Sequence, residues 1–183
     1  MIFKQIILWL LLLAIIYFSL RVIYGLLAFL FRKNTLAMYV PSFNRHIKLM
    51  KNHLKLARWE RLVDLWCGDG KAMRFFAREF WLQCDGYELQ RFPYHYGKLI
   101  NHLLWYPQLH LYKKNFLQAD ITRYDYIYVY LLPKQMAQIE SWMFKHLAPH
   151  TIIISNSFQF AIHKPFEVIK DRNDKPSIFL YRK

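Results

Sequence analysis

The run Asp64-Leu65-Trp66-Cys67-Gly68-Asp69-Gly70 joins an apolar stretch to a helical one, and its residue types suit it to cradle a ligand. Glycines let backbone N–H groups approach a bound molecule and leave the helix that follows with an exposed, positive amino end. Glu88 lies 24 residues beyond Asp64, near the spacing of about 20 at which an acidic side chain takes hydrogen bonds from ribose hydroxyls in dinucleotide folds. Asn115 offers both an amide donor and an acceptor to an adenine edge. Gly68 and Gly70 alone would equally serve a tight strand-to-helix connection, so it is the combination that implies a nucleotide-type ligand. Trp66 departs from the pattern, because such a turn normally carries glycine there. If that position needs φ > 0 or close cofactor approach, an indole would be strained or in the way.

Elements that could position these residues are legible in the hydrophobic pattern. Leu62 to Trp66 reads as a short strand, Lys71 to Trp81 as a helix, Gln83 to Glu88 as a strand, Tyr94 to Trp105 as a helix and Leu109 to Lys113 as a strand. Tyr124 to Leu132 is strongly β-prone, with Tyr124, Tyr126, Tyr128 and Tyr130 alternating onto one face; Gln135 to Leu147 is helical and Thr151 to Ser155 a buried strand. Phe166 to Lys170 and Ser177 to Tyr181 flank a polar turn and read as a closing antiparallel hairpin. Alternation of this kind predicts a Rossmann-like α/β fold, a mostly parallel sheet with helices on both faces. Its ligand crevice lies outside the carboxyl ends of the strands, where the Asp64 to Gly70 turn, Glu88 and Asn115 all fall.

Residues 2–31 are almost wholly apolar, broken by Lys4, Gln5, Ser19 and Arg21. At about 1.5 Å per residue they can cross a hydrocarbon core of about 30 Å, so we expect a retained transmembrane helix. A cleaved signal peptide fits less well, since the apolar stretch continues past Arg21 without a small-x-small site. Beyond it Arg32, Lys33, Arg45, Lys48, Lys51, Lys55, Arg58 and Arg61 are opposed only by Glu60, which supplies half of the formal +14 and places the domain on the cytoplasmic side of a single-pass membrane protein. Basicity concentrated beside an anchor points to the lipid bilayer as partner rather than to nucleic acid. After Tyr39-Val40-Pro41-Ser42, the residues Phe43, Ile47, Met50, Leu54 and Ala57 share one face of a basic amphipathic helix. The chain therefore divides into an anchor at 1–33, a juxtamembrane segment at 34–60 and a domain at 61–183.

Two cysteines, Cys67 and Cys84, give no disulfide framework. His146 and His150 have metal-like spacing, but Pro149 breaks the helix that would bring them together, so no metal site is expected.

With these residues in view, Val63 to Lys71 resembles motif I of class I S-adenosylmethionine-dependent methyltransferases. Gly86-Tyr87-Glu88-Leu89 resembles the acidic end of the second strand, and Lys114-Asn115-Phe116-Leu117 the adenine-contacting turn, where aspartate is usual at the Asn115 position. Asp125 to Pro133 looks like the fourth strand and the loop bordering the transfer site. A hydrophobic anchor, then Tyr39 to Ser42, then motif I is similar to the small membrane-anchored lysine methyltransferases typified by the mitochondrial ATP synthase c-subunit enzyme. The resemblance implies a seven-stranded sheet and S-adenosyl-L-methionine as cofactor, with a protein lysine, in a membrane protein, as acceptor. It implies cofactor contacts by Asp64, Trp66, Cys67, Gly68, Asp69, Gly70, Glu88, Asn115 and Phe116, closure of the methionine end by Tyr39 and Ser42, and a pocket lined by Tyr130. Trp66 keeps a second reading open, a degenerate methyltransferase fold acting as a binding or scaffolding module at the membrane.

Overall fold

The computed structural model describes residues 2–30 and 44–183, so Arg32, Lys33, Tyr39, Ser42 and Phe43, named above, lie outside the described residues. The chain divides into two units, residues 1–35 and 36–183. In the first, α1 (Ile2–Leu30) is one helix, and its stretch Lys4–Leu26 is long and apolar enough by length and composition to cross a membrane.

The second unit opens with α2 (Asn44–His53) and then alternates β1 (Arg61–Asp64), α3 (Lys71–Phe80), β2 (Gln83–Tyr87), α4 (Arg91–Leu103) and β3 (Leu109–Tyr112). Two 3-10 turns, Phe116–Gln118 and Ile121–Arg123, lead to β4 (Tyr126–Val129), α5 (Pro133–His146), β5 (Ile152–Asn156), β6 (Glu167–Lys170) and β7 (Pro176–Tyr181). The sheet has seven strands in the order β3-β2-β1-β4-β5-β7-β6. Strands β1 to β5 are parallel neighbours, whereas β7 runs antiparallel to both β5 and β6, which is the expected hairpin. After building outward through β2 and β3 the chain returns to place β4 beside β1, so the switch point lies at the carboxyl ends of β1 and β4.

Strand alternation divides the core into two layers. Val63, Ile127, Val129 and Ile153 join Met136, Ile139 and Met143 of α5 on one face. On the other, Leu62, Tyr126, Tyr128 and Ile154 meet Met73, Phe76 and Ala77 of α3 and Met50 of α2. Leu62 and Val63 of β1 thus pack on opposite faces, so the strand is buried on both sides.

Two expectations change. First, α2 stops at His53, so Leu54 and Ala57 are not on a helical face. Leu54 still donates to Met50 O at 2.9 Å, but the Ala57 N–H turns to the Tyr126 hydroxyl at 3.2 Å and Trp59 adopts φ 68°, which swings the chain into β1. Second, the tyrosine alternation holds only from Tyr126. Tyr124 precedes β4, and its ring joins the α5-side layer. Its hydroxyl donates to Asp85 Oδ2 at 2.6 Å.

Candidate active site

The turn after β1 is left-handed at Gly68 (φ 55°) and Gly70 (φ 77°), a conformation that glycine adopts without the clash a Cβ brings. It is pinned to the end of β2, because the Cys67 N–H donates to Tyr87 O at 3.1 Å and the Gly70 N–H closes back on Cys67 O at 2.8 Å. From α3, Arg74 donates through one nitrogen to Asp69 O at 2.6 Å and through the other to Asp69 Oδ2 at 3.3 Å. From α4, Gly97 lies so close that a Cβ there would sit 2.7 Å from Asp69 O. Neither Arg74 nor Gly97 was singled out from sequence; only the packing of α3 and α4 around the turn reveals them.

Glu88 follows β2 directly and is buried. Its Oε2 accepts the Gly68 N–H at 3.0 Å and its Oε1 the Gln90 N–H at 2.7 Å, so one carboxylate ties the glycine turn to the start of α4. Burial raises its pKa against the opposing pull of these backbone donors. Asp64, at the end of β1, is 3% exposed and accepts the Trp66 N–H at 3.1 Å. Burial first, with the charges of Glu88 and Asp69 adding, pushes its pKa up to about 8. Among the described residues no ion pair reaches either Asp64 or Glu88. The same burial raises the Cys67 thiol well above its ordinary value, so it is an inert neutral side chain.

Trp66 is not among the residues with positive φ, so the strain that its size threatened does not arise. Its half-buried ring instead packs on Phe116, with centroids 4.6 Å apart, and Phe116 in turn meets Trp142 of α5 edge-on at 5.4 Å. The motif turn and the turn after β3 are thereby joined by aromatic contact. Asn115 begins that second turn, its Oδ1 accepting the Leu117 N–H at 3.0 Å.

At the carboxyl ends of β4 and β5 the structure assembles a polar group that sequence reasoning missed. Asn156 Oδ1 takes a hydrogen bond from buried His46 of α2 at 2.7 Å and from the Ser157 hydroxyl at 3.0 Å, while its Nδ2 donates to the Tyr128 hydroxyl at 2.8 Å. Arg45 Nε donates to His46 Nε2 at 3.2 Å. The ring is therefore neutral with its proton on Nδ1, in keeping with a pKa lowered by burial. Ser157 holds φ 71°, unusual for a residue with a Cβ, and its hydroxyl partners half-buried Tyr130, whose phenol burial keeps protonated. The one sequence signal was Asn156-Ser157 at the end of a buried strand. Asp125, by contrast, lies at the opposite end of β4, where it accepts the Arg61 N–H at 2.9 Å.

The arrangement fits a ligand carrying positive charge and a nucleoside. Two buried acids without cationic partners invite the charge, and half-buried Trp66, backed by Phe116, offers flat apolar surface. Comparison with known proteins agrees. Residues 64–167 match the model of the ANTKMT methyltransferase domain family. A protein-lysine N-methyltransferase of Saccharolobus islandicus (strain REY15A) is 26% identical in an alignment 148 residues long that covers 78% of this chain and 91% of that protein. Among solved structures, an RNA methyltransferase from Salinibacter ruber in complex with S-adenosyl-L-homocysteine superposes with a TM-score of 0.70 at 20% identity, covering 78% of this chain and 93% of its own. Phosphoethanolamine N-methyltransferase 2 of Haemonchus contortus, in complex with S-adenosyl-L-methionine, gives 0.56 at 17% identity over 72% of this chain and 32% of its own. At such identities these two structures share the fold.

Proposed function

This chain belongs to the ANTKMT methyltransferase domain family, and from that premise we propose a membrane-anchored, S-adenosylmethionine-dependent methyltransferase whose acceptor is a protein lysine. The observation that carries the cofactor is Glu88, a buried carboxylate bridging the N–H groups of Gly68 and Gln90 at the switch point of the sheet. In this reading Glu88 takes the ribose hydroxyls, and Asp64, with Asp69 and the turn from Trp66 to Gly70, faces the cationic methionine end. Asn115 and Phe116 flank the adenine. Lysine as acceptor is supported by the archaeal lysine methyltransferase, and anchoring by the apolar stretch Lys4–Leu26.

The cofactor, when bound, supplies a methyl group activated by a sulfonium. The protein's share is to orient donor and acceptor and to exclude water. A lysine amine attacks only when neutral, and a weakly polar pocket favours its loss of a proton. Tyr130, a protonated phenol held by Ser157, orients the incoming group rather than taking its proton.

Calorimetric titration of the detergent-solubilised full chain with S-adenosylhomocysteine tests the cofactor, with at least about tenfold weaker binding expected of Glu88→Ala, which removes the charged acceptor. No binding by the native chain at millimolar ligand would reject the reading. For the acceptor, mass spectrometry of membrane proteins with and without this chain should show lysines that lose a methyl-sized increment; methylation confined to other residue types would reject lysine.

A further inference from the structure

The loops that follow β2, β3 and β4 all lie at the carboxyl edge of the sheet, and each exposes one leucine beside a cation. Leu89, Leu117 and Leu132 are 47%, 49% and 40% exposed. Arg91 follows Leu89, Lys113 and Lys114 precede Leu117, and Lys134 follows Leu132; all four are exposed and none is in an ion pair among the described residues. Glu88 is buried and Asp64 and Asp69 of the neighbouring turn are buried or held by Arg74, so the exposed Asp120 of the loop after β3 leaves these four cations in excess. Asp171 and Asp174, in the turn between β6 and β7, lie among Lys170, Arg172 and Lys175.

The amino edge of the same sheet is different. It exposes Trp59, Trp81 and Trp105; Arg61 and Arg123 both reach Asp85, Lys51 and Arg78 both reach Glu79, and Arg58, in no ion pair among the described residues, lies over the Trp81 ring. Aliphatic side chains set among uncompensated cations are the composition that partitions into the headgroup layer of an anionic bilayer. The start of α2 also lies at the carboxyl edge, where Lys71 Nζ donates to Asn44 Oδ1 at 2.9 Å.

We propose that the carboxyl edge docks on an anionic lipid surface through Leu89, Leu117 and Leu132 with Arg91, Lys113, Lys114 and Lys134. On the methyltransferase reading, this presents the transfer site to acceptors at headgroup level. Docking itself needs no turnover and can be measured separately.

The native thiols are buried, Cys67 at 6% and Cys84 at 0% exposure, so an introduced cysteine takes a fluorescent label selectively. The full chain carrying Leu117→Cys, Leu132→Cys or, as the opposite edge, Trp105→Cys is labelled and reconstituted into vesicles of phosphatidylcholine with phosphatidylserine. Nitroxide-bearing lipids should quench the label at positions 117 and 132, less so in phosphatidylcholine alone, and leave position 105 bright. Replacing Lys113, Lys114 and Lys134 by glutamine should weaken docking about fivefold per lysine and abolish the quenching. Quenching at 105 but not at 117 and 132 would overturn the proposal by placing the tryptophan edge on the bilayer. Unquenched labels at all three positions, or quenching that survives the glutamine variant, would equally overturn it. Binding of S-adenosylhomocysteine by the same proteins shows that each is folded, and its failure with docking intact counts against the methyltransferase reading alone.

Discussion

Two buried aspartates on neighbouring strands are treated in opposite ways. Asp85 of β2 is 6% exposed and surrounded by partners from its own chain: the Tyr124 hydroxyl at 2.6 Å, Arg123 at 3.2 Å, Arg61 at 3.4 Å and His110 at 3.4 Å. Asp64 of β1 is as deeply buried but has one backbone N–H, with Glu88 and Asp69 as like charges nearby. Burying a carboxylate is costly unless it is paired, and the fold supplies pairing for the first and withholds it from the second. Asp85 is a structural acid, tying β2 to the starts of β1 and β4. Asp64 is one that the fold leaves without a counter-charge, the place at which the proposed reading sets the cationic end of the cofactor.

That difference can be broken from either side. The folded-state pKa of Asp64, about 8, lies above its unfolded value of 3.8. Its protonated form therefore favours the fold, and the cofactor-free domain loses stability as pH rises from the lower value to the higher. Asp64→Asn keeps the acceptor for the Trp66 N–H and removes the charge. It should stabilise the cofactor-free protein at pH 8 by roughly 3–5 kcal/mol, an effect that fades towards pH 4. Urea denaturation at the two pH values checks this, and a gain equal at both would mean that charge is not the cause. Asp85→Asn should do the reverse and destabilise by about 2–3 kcal/mol, because two arginines lose their counter-ion, moderated by their partial exposure. Tyr124→Phe, which removes the shortest donor to Asp85, should cost about 1–2 kcal/mol at unchanged cofactor affinity. Smallest is Trp66→Gly. Its fold should persist, with about fivefold weaker cofactor binding from loss of the aromatic wall on Phe116; tighter binding would show that the indole obstructs the site.

The sequence made the sheet legible because apolar runs of strand length alternate with helical ones, and the runs around β1, β2, β3 and β5 lie within about two residues of the observed strands. Glu88 and the glycine turn were legible for the same reason, since position along an α/β chain fixes which end of a strand a residue occupies. What was hidden depends on contacts between distant segments. His46 and Asn156 lie 110 residues apart, and nothing in α2 marks its histidine as buried. Arg74 and Gly97 matter only because α3 and α4 converge on Asp69. The length of α2 was overread because Leu54 and Ala57 continue the helical spacing, whereas the Ala57 N–H is taken by the Tyr126 hydroxyl. For Trp66 the sequence raised the right question, and backbone geometry answered it: the indole lies over Phe116 on an unstrained backbone.

Asp64 lacks a cationic partner within the fold, and in the proposed function S-adenosylmethionine brings one. Calorimetric titration of the full chain with S-adenosylmethionine at pH 7, in buffers of different ionisation enthalpy, counts the protons exchanged on binding. At that pH Asp64 is largely protonated, whereas the ligand's α-amino group, with a pKa of about 8, is largely charged already. Release approaching one proton per ligand, lost in Asp64→Asn, is the predicted result. Binding without proton release, or with release unchanged in Asp64→Asn, would contradict it.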